Sequence, residues 1–317
     1  HQARGVLPVG QGTAAAGGYL VPDNQNGLTF DRGIARSSAI LQMPGLRRQI
    51  VSGKREKYTE YVGRPTVATT AEGADKPVTG AELAEVTLDI VKASGIVLLT
   101  EEMIEDAGAQ GARFLQRIDT DIRAAFGDWV DANAIGRTSA GTIVGSFNSE
   151  LSETSQTVEL GTSGDAFAVA VSAAIGLIEA NGYQATGVVA ANDIGTHLRA
   201  ARSALDATQP LYYPGFQGSP ALPQVWGLPV ARTTNLQTFG GAAAAGRVVA
   251  IVGDFTQALF ALRSDVRKKV STDATVNVSG TDHRLWQQNK TGVLWEMRAG
   301  FVAHDLDRAF VAITNAS

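Results

Sequence analysis

Residues 50–92 constrain the fold most. From Ile50 the chain runs polar yet tolerant of β structure, with Tyr58, Tyr61 and Val62 set among Lys54, Arg55, Glu56, Lys57 and Glu60. Gly63-Arg64-Pro65 then opens Thr- and Gly-rich material that lasts through Gly80. Val86, Leu88 and Ile90 alternate with Thr87 and Asp89, the period-two pattern of a half-buried strand. The pattern predicts a long two-stranded excursion. Isolated two-stranded hairpins are marginal in water. One this long and this polar has to pack on another subunit or on its parent domain.

The flanking sequence gives that excursion a body. The first 31 residues read as an arm: Gly10, Gly12, Gly17 and Gly18 sit among Ala, Pro and polar residues, with little hydrophobic periodicity. Such a segment buries too little alone to offset its ordering entropy. Residues 100–135 read as helical. Thr100 is a candidate N-cap, and Glu101, Glu102 and Glu105 place negative charge at the positive helix end. Gly108 and Gly111 are expected to interrupt that piece. A second helix then carries Phe114, Leu115, Ile118, Ile122, Ala125, Phe126, Trp129 and Val130 on one stripe. About 24 residues at 1.5 Å each give roughly 36 Å, the length of a strut.

Residues 136–164 are Gly/Ser/Thr-rich and read as a connection at a domain boundary. An α/β pattern follows. Asp165 can cap a helix that Asn181-Gly182 ends. Gly187 to Ala191 reads as a buried strand, and Asn192 or Asp193 caps a helix through Leu205. Residues 209–229 hold Pro210, Pro214, Pro220, Pro223 and Pro229 and read as a long loop. Val248 to Val252, Ala258 to Leu262 and Ala309 to Ile313 read as buried strands, with polar alternating strands over 265–299.

Composition excludes several functions. Charged residues make up 18% of the 317, against about 25% in an average globular protein. Low surface charge suits a subunit covered by neighbours. The net charge of -4 argues against a general nucleic-acid coat. With no cysteine there are no disulfides, thiolate metal sites or cysteine nucleophiles. No stretch reaches the ~18 apolar residues of a membrane helix, and no signal-peptide pattern is present. The chain begins at His1 rather than Met, as a processed product or an incomplete record would.

The candidate chemistry reduces to ordinary structure. Gly10-x-Gly12-x-x-Ala15 lacks the preceding strand of a dinucleotide fingerprint. His1, His197, His283 and His304 are scattered, without the helical spacing of a zinc site. His197 reads as a surface or interface residue, and His304-Asp305 as turn residues rather than an oriented base. Asp119 and Asp121, two apart on a helix, face different ways and form no paired acid and base. Glu101-Glu102 complement the helix dipole, and Arg267-Lys268-Lys269 mark a solvated strand end. Lys54, Lys57 and Lys76 on the excursion are expected in ordinary salt bridges; an isopeptide bond would need partner geometry that a sequence does not supply. No catalytic, cofactor-binding or metal-binding residue is assigned, and the chain reads as no enzyme.

Six short motifs, in order along the chain, point to one family. Gly17-Gly18-Tyr19-Leu20-Val21-Pro22 resembles the opening of the mature major capsid proteins of tailed bacteriophages, the HK97-like fold. Ala71-Glu72-Gly73 with Lys76-Pro77, then Val86-Thr87-Leu88 and Lys92, resembles that family's extended-loop return strand. Thr100 to Asp106 resembles the turn of helix before its spine helix. Trp226-Gly227 and Leu228-Pro229-Val230 resemble a stretch of its axial domain. Gly253-Asp254-Phe255 and Arg308-Ala309-Phe310-Val311 complete the series.

The resemblance implies a mixed α+β fold in four parts. These are an N-terminal arm over 1–31, an extended hairpin loop over 50–91, a peripheral domain with the spine helix over 32–49, 92–148 and 263–299, and an axial domain over 149–262 and 300–317. It implies subunits that self-assemble as hexamers and pentamers into an icosahedral shell around packaged double-stranded DNA, held non-specifically. The expected site is the virion, after assembly in the host cytoplasm. Expected partners are identical subunits, a portal, a scaffold or protease, and decoration proteins, with no membrane. Covalent cross-linking stays unassigned. Two other readings remain at this point. An encapsulin-type nanocompartment shares the fold, and an α/β hydrolase or transferase would use 165–262 but leave the arm and the hairpin idle.

Overall fold

The computed structural model describes residues 34, 37–63, 67–73, 75–76, 82–106, 108–136, 145–161, 166–200, 224–236, 247–278 and 280–315. The arm expected over 1–31, the helix expected beyond residue 200 and most of the proline-rich loop lie outside these residues. In chain order the described strands are β1 (Arg47–Ile50), β2 (Arg55–Gly63), β3 (Glu82–Asp89), β4 (Val91–Thr100), β5 (Thr157–Leu160), β6 (Gly187–Ala191) and β7 (Gln224–Val225). They continue as β8 (Leu228–Thr233), β9 (Val248–Gly253), β10 (Ala258–Ser271), β11 (Thr275–Val278), β12 (Thr281–Arg284), β13 (Lys290–Ala303) and β14 (Phe310–Asn315). The described helices are α1 (Glu101–Asp106), α2 (Gly108–Ile135), α3 (Ala166–Ala180), α4 (Ile194–Ala200) and α5 (Leu306–Ala309).

One sheet has the order β5-β14-β9-β6-β8-β7. Its centre is apolar on both faces: every residue of β6, β9 and β14 is buried. That is why Gly187 to Ala191 and Val248 to Val252 read as unbroken hydrophobic runs rather than alternating ones. Helix α3 covers the sheet with Phe167, Ala170, Val171, Ala174 and Ile178. Its end matches expectation, because Gly182 takes φ +82°, a conformation that glycine adopts without strain. The 136–164 connection contains one strand the sequence reading missed. Thr157–Leu160 is polar at alternate positions and pairs in parallel with β14 at the sheet edge.

The second sheet has the order β1-β10-β13-β4. Strands β10 and β13 pair antiparallel over nearly their whole length, with register shifts between Leu262 and Arg267. Strand β10 passes from core to solvent along its own axis, whereas β13 stays largely buried, with only Arg298 exposed. In β10 Ala258–Leu262 is buried while Arg267–Ser271 is exposed; Ala299–Ala303 of β13 pairs with the buried half. The separate strands expected on either side of residue 263 are therefore one continuous strand. Strand β4, unassigned in the sequence reading, pairs with β13 from Val91 to Thr100.

Helix α2 is the long strut. Thr100 caps the helical region as expected, its Oγ1 accepting from the Met103 amide at 3.4 Å. The expected break at Gly111 is absent: α2 runs unbroken for 28 residues, about 42 Å at 1.5 Å per residue. A helix-interior glycine costs only about 1 kcal/mol, and packing of the apolar face outweighs it. Phe126, Val130, Ala134 and Ile135 are buried, and Ile118, Ile122 and Trp129 pack on the same core. Further out, β2 and β3 form a sheet of their own, as does the β11–β12 hairpin.

Candidate assembly surfaces

The β2–β3 hairpin forms a two-stranded sheet of its own, docked only at its foot. Its register runs from Arg55 opposite Asp89 to Gly63 opposite Glu82. At its foot the inward side chains enter a small core of Val51, Leu88, Ile90, Leu259, Ala261 and Val302, with Tyr58 and Val86 at its edge. All the described residues from 67 to 76 are exposed, Val67 at 97%.

The foot is held by polar contacts as well. Arg55 donates to both carboxylate oxygens of Asp89, at 2.6 and 3.1 Å. Asn148 accepts from the Asp89 amide at 2.5 Å and donates to its carboxylate at 3.2 Å. The Arg55 guanidinium, and then Asn148, hold the Asp89 carboxyl below its usual range. Gly300 in β13 lies directly beneath: a Cβ there would meet the Asp89 carbonyl oxygen at 2.5 Å. Only glycine permits this approach of hairpin backbone to sheet.

The strut is anchored in the same way. Trp295 of β13, 2% exposed, donates its indole N–H to Asp119 of α2 at 3.2 Å, and Arg123 donates to the same carboxylate at 2.9 Å. Lys268 stands over the Trp295 ring, 5.6 Å from its centroid. Across the sheet, Glu296 is paired by Lys92 at 2.5 Å and Lys269 at 3.2 Å, which lower its pKa. A shallow cleft of about 380 Å³ separates β4 from α2, with Gly95, Phe126 and Trp129 among its walls. Other large apolar side chains stand in solvent: Trp286 at 76%, Trp226 at 63%, Val169 at 57% and Ile96 at 52%.

The residues weighed for chemistry fall apart in space. His1, Gly10, Gly12 and Ala15 lie outside the described residues, as does the side chain of His197 on α4. His283 on β12, in the separate β11–β12 sheet, sits 3.1 Å from the Lys290 ammonium, whereas His304 follows the end of β13 in the four-stranded sheet. His304 is buried where β13 ends, and Asp305 takes φ +48°. The Asp305 carboxylate accepts from the Tyr183 hydroxyl at 2.5 Å and from Arg308 at 3.4 Å, which makes His304-Asp305 the turn that the sequence suggested. Asp121 faces Arg117 across an exposed helical turn, away from the Asp119 cluster. Glu101 and Glu102 are exposed in the first turn of α1. Lys57 pairs with Glu85 at 2.6 Å across the hairpin, while Lys54 and Lys76 are exposed. Among the described residues no group of three metal-ligating side chains converges.

Sequence reasoning did not single out Asn148, Gly300, Trp295 or Asp131. Their partners lie 59 or more positions away, and no local spacing signals such contacts.

The phage capsid family profile matches residues 17–315. The chain belongs to the phage capsid family. It is a major capsid protein, a shell-forming structural subunit of the virion. Solved structures agree on the fold. One from Microbacterium phage Oxtober96 superposes with a TM-score of 0.68 at 18% identity, covering 96% of this chain and 99% of that one. One from Mycobacterium phage Ogopogo gives 0.69 at 20% identity, covering 93% and 94%. The capsid of an empty GTA particle gives 0.61 at 17% identity, covering 98% and 100%. These likenesses place the capsid protein in the HK97-like fold. No curated protein matches the sequence significantly. The nanocompartment and hydrolase readings gain no support from these likenesses.

Proposed function

We propose that this subunit assembles as hexamers and pentamers into an icosahedral shell around the packaged double-stranded DNA of a tailed phage. Each copy lays its β2–β3 hairpin on a neighbour. The observation that carries this reading is the hairpin itself: a two-stranded sheet whose foot is docked and whose far end is solvated. Free in water such a ribbon is marginal, so a second copy supplies the missing surface. The four-part division into arm, hairpin, peripheral and axial regions belongs to this proposal. The four-stranded sheet with α2 would form the peripheral region, and the six-stranded sheet with α3 the axial one.

The charge balance fits a container rather than a DNA reader. A chain of net charge -4 holds phosphate loosely, because tight binding requires many neutralising cations. We assign it a structural role without catalysis, assembly in the host cytoplasm, and portal, scaffold or protease and decoration proteins as further partners. Negative-stain electron microscopy of the purified chain at rising concentration tests the reading. Closed, uniform particles are expected. A monodisperse monomer at every concentration would overturn it.

A further inference from the structure

Asp131 is the most deeply buried carboxyl among the described residues, and its partners include no cation. It lies on α2 at 1% exposure. Its Oδ1 accepts from the Ser38 hydroxyl at 2.6 Å and the Ile40 amide at 3.1 Å, and its Oδ2 from the Ala39 amide at 2.8 Å. Thr233, at the end of β8, donates to it as well. Three parts of the chain thus meet on one side chain: the segment leading in from the N-terminus, the strut, and the six-stranded sheet. The joint is continued by Asn235, whose side chain donates to the Asp128 carbonyl of α2 at 3.1 Å.

A neutral residue could satisfy the same amides, since Ser and Asn cap helical turns as well as Asp. A carboxyl adds a charge that burial opposes. We propose that Asp131 is a coupling keystone: its bonds hold the lead-in segment, the strut and the six-stranded sheet in one arrangement, so that a change in its charge loosens or tightens the joint.

The sign follows from the surroundings. The groups facing Asp131 are Ser38, Thr233 and two backbone amides, none of which titrates near neutrality. Arg48 donates its guanidinium to the Leu41 carbonyl rather than to Asp131. Arg232 beside Thr233 is exposed. Asp128, one turn earlier on the strut, is itself shifted upward by burial and offers no positive charge. Desolvation is the largest influence, and it raises Asp131 from 3.8 to about 6 against the lowering effect of its four donors. The closed joint therefore holds a proton more tightly than an opened, hydrated one. Its contribution is fully present below the ordinary value and is lost as pH rises through about 6. Acid tightens the joint and neutral pH loosens it.

The test is hydrogen exchange on the full-length chain, corrected for the intrinsic pH dependence of exchange. Between about pH 5 and about pH 7.5, opening at Ala39, Ile40 and 233–236 should rise about tenfold, as one carboxyl titrating at 3.8 in the opened joint and at about 6 in the closed one requires. The rise should vanish in Asp131→Asn. Should that variant fail to fold, Ser38→Ala removes a donor, and the transition should move to higher pH. A pH-independent wild type, an equal rise in Asp131→Asn, or an unmoved transition in Ser38→Ala would each overturn the proposal.

Discussion

Replacing Gly300 by Ala tests how the hairpin is fixed to the body. The added Cβ would lie 2.5 Å from the Asp89 carbonyl oxygen, 3.1 Å from Ile90 Cδ1 and 3.2 Å from Leu88 Cδ1. Ordinary contact begins at 3.4 Å, so the closest pair is about 0.9 Å short. The two side chains can rotate away. The carbonyl cannot, because the Asp89 amide is held by Asn148 and its carboxylate by Arg55. Either β3 lifts from β13 or the Asn148 bond stretches. Overpacking of this kind costs about 1–3 kcal/mol. For a chain of 317 residues that corresponds to a fall in Tm of roughly 1.5–4.5 °C. Thermal unfolding of the unassembled subunit measures it, and hydrogen exchange should show the loss centred on residues 88–90. An unchanged Tm with unchanged protection at the hairpin foot would refute the close approach, and with it the account of how the ribbon is aimed.

Three further outcomes are expected. Gly176→Ala on the exposed face of α3 meets nothing within 4 Å. It should stabilise the free subunit by about 0.5–1 kcal/mol, seen as a higher Tm; a lower one would show that the helix surface is not open. Trp295→Phe removes the indole donor to Asp119 and should cost about 1–2 kcal/mol, with faster hydrogen exchange along α2; no change would mean that the bond does not anchor the strut. Arg55→Ala should leave the Tm essentially unmoved at moderate salt, because Arg55 is exposed, Asp89 is only half-buried and water screens the pair. A marked fall would show that the pair is shielded from solvent.

Legibility in the sequence followed the kind of force at work. Gly187–Ala191 and Val248–Gly253 were readable because burial on both faces leaves an unbroken apolar run. The α2 stripe was readable because one face meets the core. Strand β10 was only half readable: its environment changes near Leu262, so its period changes within one strand. Strand β5 was missed because an edge strand of four residues needs its partner more than its own propensity. Gly111 misled, since local propensity is a weak prior against 28 residues of packing. Asp131 carried no local sign at all, its partners Ser38 and Thr233 being fixed only by the tertiary fold. The assembly role itself was carried by family motifs, and the hairpin pattern supplied its physical reason.

The central claim is that identical copies complete one another through the hairpin. Its most direct test replaces residues 57–87 with a two-residue Asn-Gly turn, which preserves the Arg55–Asp89 pair and the buried Leu88 at the foot. The shortened chain should keep its fold by circular dichroism and form no closed particles in the electron microscope. Shells of normal size and yield from that chain would contradict the account.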